Sequence, residues 1–96
     1  MKNYVYKFDF FSGFYKDTLY KQIKAKDEKQ AILQIVSFFN NCDEKNTSQY
    51  LNKELGSNWT PEKFWSDMDL KFASDEGTEA YTLIWVQETE FDLDRL

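Results

Sequence analysis

Tyr4, Tyr6, Phe8 and Phe10 alternate with Val5, Lys7, Asp9 and Phe11. A period of two predicts a strand, because successive side chains of a strand point to opposite faces. The stretch Ser12-Gly13-Phe14-Tyr15-Lys16-Asp17 breaks the alternation at a glycine, as a hairpin loop does. The alternation resumes from Thr18 to Ala25, with Leu19, Ile23 and Ala25 on one face and Tyr20, Gln22 and Lys24 on the other. Lys21 falls on the apolar side, which suits an edge strand that carries a charge against unwanted pairing.

The period then changes. Ala31, Ile32, Ile35, Val36 and Phe39 recur at helical spacing. Asp27 followed by Gln30 has the form of a capping box. A helix is therefore predicted over residues 28–39, ending at Asn40-Asn41. Asn46-Thr47-Ser48 can cap a second helix with Tyr50, Leu51 and Leu55 on its apolar side and Gly56 just beyond its end. Thr60-Pro61-Glu62 has the form of a third helix start, with threonine at the N-cap and proline in the first position. Phe64, Trp65 and Met68 form its inner stripe.

Leu70 to Ala73 reads as a short strand, and residues 74–78 as a turn. Ala80 to Val86 is apolar on both faces, which predicts a central or covered strand. If that strand continues, Tyr81, Leu83, Trp85, Phe91 and Leu93 share one face. Thr82, Ile84, Val86, Glu88, Glu90, Asp92 and Asp94 share the other, and Phe91 turns inward. The predicted order is β-β-α-α-α-β-β in a single α+β domain spanning residues 1–96, with a mainly antiparallel sheet and the helices on one face.

Charge adds an asymmetry. Residues 1–48 carry 8 Lys and 6 Asp/Glu, a net of +2, and residues 49–96 carry 4 Lys/Arg and 11 Asp/Glu, a net of −7. Glu88, Glu90, Asp92 and Asp94 stand at every second position, so an extended chain places them on one side. Asp75, Glu76 and Glu79 precede the same strand. Two acidic clusters on one surface fit a basic protein partner, in the manner of inhibitors that mimic DNA, and would steer its approach. The same row also serves as a solvated edge that blunts strand pairing.

Eighteen aromatic residues (9 Phe, 6 Tyr, 3 Trp) are many for one 96-residue core. Phe14 and Tyr15, adjacent in the hairpin loop, are hard to bury together and are candidate partner contacts. They support an alternative reading, an assembly module that pairs through an aromatic surface or a sheet edge. Pairing of two copies is compatible with it.

The chemistry-bearing residues are sparse. The chain has no histidine and one cysteine, Cys42. Histidine-based nucleophile pairs and thiolate zinc sites cannot form within it. Acidic neighbours disfavour a Cys42 thiolate. The three glycines are far apart, and Asp67 to Glu79 does not follow a calcium-loop pattern. Paired carboxylates keep a small carboxylate-based hydrolase as a third reading, but the reading is of a non-enzymatic binding protein without cofactor or metal. The lysines Lys16, Lys21, Lys24, Lys26 and Lys29 lack arginine among them, so no direct nucleic-acid contact is expected. No apolar run reaches transmembrane length and no signal-peptide core is present, so the expected location is cytoplasmic.

Overall fold

Seven elements follow one another in the computed structural model, which describes residues 1–73 and 77–91: β1 (Lys2–Ser12), β2 (Tyr15–Ala25), α1 (Glu28–Asn40), α2 (Glu44–Leu55), α3 (Pro61–Asp67), β3 (Lys71–Ala73) and β4 (Glu79–Thr89). The strands form one antiparallel sheet in the order β2-β1-β4-β3. α1 lies against this sheet, and α2 and α3 pack on α1.

Local chemistry accounts for each boundary. Only Gly13 and Phe14 separate β1 from β2, and Gly13 has φ 61, so the connection is a two-residue hairpin rather than a six-residue loop. Asp27 is extended and accepts the Gln30 N–H at 2.8 Å, while the Gln30 side chain accepts the Lys26 N–H at 2.7 Å. At the other end of α1, Asn41 is left-handed (φ 50); its N–H bonds Phe38 O and the Cys42 N–H bonds Ser37 O. That double bond satisfies the last carbonyls of the helix.

α2 starts earlier than Asn46-Thr47-Ser48 suggests. Asp43 is its cap and accepts both the Asn46 N–H, at 2.7 Å, and the Asn46 Nδ2 amide, at 2.9 Å. Thr47 is thereby carried inside the helix, where it shares the buried stripe with Leu51 and Leu55, and Tyr50 is turned outward. Thr60 caps α3 through a 3.3 Å bond from the Lys63 N–H, with Pro61 in the first turn.

The core joins Tyr4, Tyr6 and Phe8 of β1 to Ile32, Ile35, Val36 and Phe39 of α1, with Leu51, Phe64, Phe72 and Leu83 closing it. Tyr81 stacks on Phe39 with ring centroids 5.0 Å apart.

One irregularity decides what β4 presents. Phe8 faces Leu83, but Lys7 faces Trp85, so Ile84 is an extra residue in a β-bulge. The alternation changes phase there. Val86 and Glu88 lie opposite Tyr6 and Tyr4, on the same face as Tyr81 and Leu83, and Trp85 crosses to the helix-free face beside Lys7. The face assignments expected from Trp85 to Glu88 are therefore reversed, and Phe91 is exposed rather than turned inward, while Leu93 lies outside the described residues.

Candidate functional site

The bulge also moves Glu88 to the face opposite the one expected for the acidic row. Glu88 lies on the helix-bearing side, where its Oε1 is 3.5 Å from Lys2 Nζ. Glu90 is exposed beyond the strand end. Glu79 opens the same strand and accepts the Tyr81 hydroxyl at 3.4 Å. Glu79 and Glu88 are nine residue steps apart along the strand, about 30 Å, so they stand at opposite ends of β4. Asp75, Glu76, Asp92 and Asp94 lie outside the described residues.

The hairpin tip and the edge strand form a different surface. The short turn throws Phe14 fully into solvent and leaves Tyr15 58% exposed. The Tyr15 hydroxyl donates to Asp17 Oδ2 at 3.1 Å, and that bond, with the carboxylate charge, pushes the phenol above its ordinary pKa. β2 is the outermost strand of the sheet and is exposed continuously from Tyr15 to Lys21. Leu19 (38% exposed) lies on its helix-bearing side and Tyr20 (59%) on its helix-free side. Phe38, the α1 residue beside this edge, is 46% exposed and sits under the Lys21 ammonium at 3.9 Å. Tyr81 lies 6.1 Å from Phe38 and 5.4 Å from Phe10, whose ring is 6.2 Å from Tyr15. The aromatic surface is thus continuous from the tip to the end of α1.

The backbone of this edge is also available. A two-residue turn is closed by a hydrogen-bonded pair, here Ser12 with Tyr15, and antiparallel ladders alternate from it. Asp17, Leu19 and Lys21 therefore bond β1, while Thr18 and Tyr20 turn their N–H and C=O groups outward. The Thr18 N–H is held by Asp17 Oδ1 at 2.8 Å. Among the described residues no strand pairs with the outer side of β2. The strand has no proline and its ladder to β1 has no bulge.

On the helix-free face, Tyr20, Lys7 and Trp85 form one cross-strand row, with the two rings 6.0 Å apart and Lys7 Nζ 5.7 Å from the Tyr20 centroid. A depression of about 370 Å³ lies between the start of α1 and Trp59. Two of its three charged residues, Lys26, Asp27 and Lys29, have structural work: Asp27 caps α1, and Lys29 donates to Trp59 O at 2.8 Å. Among the described residues no group of three or more acidic or cysteine side chains could hold a metal, and no helix is long and apolar enough to cross a membrane. Cys42 is exposed and unpaired as a thiol.

Phe14 and Tyr15 were legible as loop aromatics. Nothing in the local pattern marks Leu19 or Tyr20 as contacts, whereas Phe38 carries a signal: helical spacing places Phe39 with Ile32, Ile35 and Val36, and the preceding residue points about 100° away.

No protein-family model, no curated protein and no solved structure matches this chain.

Proposed function

We propose that this chain is a protein-interaction module that binds through the β1–β2 hairpin tip and the outer edge of β2. The observation that carries this reading is the run of exposed apolar side chains along an unpaired edge strand: Phe14 and Tyr15 at the tip, Leu19 and Phe38 on one side, Tyr20 on the other. Exposed apolar residues clustered on one surface mark contact sites. An open edge offers backbone groups to an added strand, while side chains on both faces select it. This edge is favoured over the carboxylate row as the contact because Glu79 and Glu88 stand at opposite ends of β4 and Glu88 is paired with Lys2.

The test is affinity capture from the source cell at low and high salt, with the wild-type chain and a Phe14→Ser/Phe38→Ser double variant as baits. The reading expects species retained by the wild type at both salt concentrations and lost with the variant. Equal retention by the variant contradicts it, and retention only at low salt contradicts it and returns the carboxylates as the contact.

A further inference from the structure

We propose that the strand added to β2 is β2 of a second copy, paired antiparallel with Leu19 opposite Leu19, so that two sheets join into one. This rests on the reading of the β2 edge as the contact surface.

A two-fold axis normal to the sheet keeps the helices of both copies on the same side. Directly opposed residues must then share a face, which leaves only registers centred on a single residue. Each can be judged from the exposed part of the strand, Tyr15 to Lys21. Centring on Lys16, Asp17 or Lys21 opposes like charges at the axis, and centring on Tyr15 sets Asp17 against Gly13 of the turn. Centring on Thr18 sets Asp17 against Leu19 and Lys21 against Tyr15. Centring on Tyr20 sets Lys21 against Leu19 and Lys16 against Lys24. Centring on Leu19 sets Asp17 of each copy against Lys21 of the other, twice, and Thr18 against Tyr20.

The remaining geometry agrees with this register. Leu19 bonds β1, so the Leu19 pair at the axis is a non-hydrogen-bonded one, in which side chains approach most closely. Thr18 and Tyr20 supply the outward N–H and C=O groups for the ladder, and the Thr18 N–H becomes available as Asp17 turns toward the opposing Lys21. Lys21 already rests against Phe38, so the pair would also cover part of that ring. Tyr15 comes opposite Ile23, and the Phe14 tip reaches past it along the second copy. A ladder of about five residues a side is well below the roughly 800 Å² per partner of a standard interface. The expected association is accordingly weak, with a midpoint on the order of 0.1 mM.

Sedimentation equilibrium of the full chain tests this. The wild-type mass should rise with concentration. Asp17→Lys and Lys21→Asp should each raise the midpoint about tenfold, since each replaces two opposed attractive pairs with repulsive ones. An equimolar mixture of the two variants should associate as the wild type does, because the lysine introduced in one then faces the aspartate introduced in the other. A wild type that stays monomeric to about 1 mM, single variants that associate normally, or a mixture no better than its parts overturns the proposal. Should either variant fail to unfold cooperatively, Leu19→Cys in a Cys42→Ser background decides: the Leu19 pair falls within disulfide reach. Oxidation should yield a covalent dimer there and none for Thr18→Cys, whose two copies are diagonal and too far apart; equal yields overturn the register. A monomeric wild type that still loses captured species in the Phe14→Ser/Phe38→Ser variant leaves the contact surface standing and removes only the second copy as its occupant.

Discussion

The Lys21 ammonium lies 3.9 Å from the centroid of the Phe38 ring, close enough for the cation to engage the ring face. Lys21 occupies the apolar side of β2, and Phe38 is the α1 aromatic that the core leaves out. The pair fills the margin of the sheet without sealing it, and the edge of β2 stays accessible beside it.

Phe38 and Phe39 are adjacent, and their substitutions should differ sharply. Phe39 is buried against Tyr81, Phe8 and Phe72. Phe39→Ala is expected to cost about 3–5 kcal/mol. Phe38→Ser should cost less, about 1–2 kcal/mol, since the ring is only about half covered and its loss removes the contacts with Lys21 and Tyr81 but opens no cavity in the core. Chemical denaturation of the two variants checks the contrast. Equal losses would make Phe38 part of the core and remove it from the contact surface.

The helix caps should act independently. Asp27→Ala and Asp43→Ala each remove a carboxylate that accepts a backbone N–H three residues on. Each is expected to cost about 1 kcal/mol. The double variant should show the sum, because the two sites share no partner. Denaturation midpoints measure this, and an unchanged midpoint in either single variant would place that helix start elsewhere.

Burial pushes the Tyr6 phenol up to about 12. In the unfolded chain this group ionises near its ordinary value of about 10. Its folded pKa is raised, so its contribution is fully present below pH 10 and is lost as pH rises toward 12. The loss is on the order of 2–3 kcal/mol. Unfolding free energies across that range should fall steeply for the wild type and more shallowly for Tyr6→Phe. Parallel curves would show that Tyr6 ionises freely in the fold.

Much of this architecture was legible because single residues announced it. Asp27 with Gln30, Thr60 with Pro61, and the apolar periods of β1 and α1 all state their elements directly. The start of α2 is ambiguous in the sequence because three capping-type residues, Asn46, Thr47 and Ser48, stand together just after Asp43. Asp43 won since it leaves Thr47, Leu51 and Leu55 on one stripe facing the core. The face of the acidic residues was unreadable for a different reason. A bulge inserts one residue without changing composition or local propensity, and parity beyond Ile84 depends on pairing with β1, which is non-local. Loop aromatics at Phe14 and Tyr15 could be named, but their continuity with Leu19, Tyr20 and Phe38 exists only once α1 is laid beside β2.

The bulge makes a deletion testable. Removing Ile84 should leave a regular ladder with Leu83 still opposite Phe8 and Val86 still opposite Tyr6, and the protein should remain folded. Removing Val86 draws Trp85 toward the Tyr6 position and should destabilise the fold by more than about 3 kcal/mol, as misplaced core groups do. Circular dichroism and denaturation of the two deletions decide the matter. A folded Val86 deletion with an unfolded Ile84 deletion would contradict the assigned register.

The central claim is that this chain makes its contacts through the hairpin tip and the β2 edge. The most direct measurement is residue-resolved amide spectroscopy of the dilute, isotope-labelled chain, alone and mixed with an extract of its source cell. The account predicts selective broadening at Phe14, Tyr15, Thr18, Tyr20 and Phe38, with Glu79, Glu88 and Glu90 unchanged. Broadening confined to those glutamates, with the hairpin and β2 untouched, would contradict it.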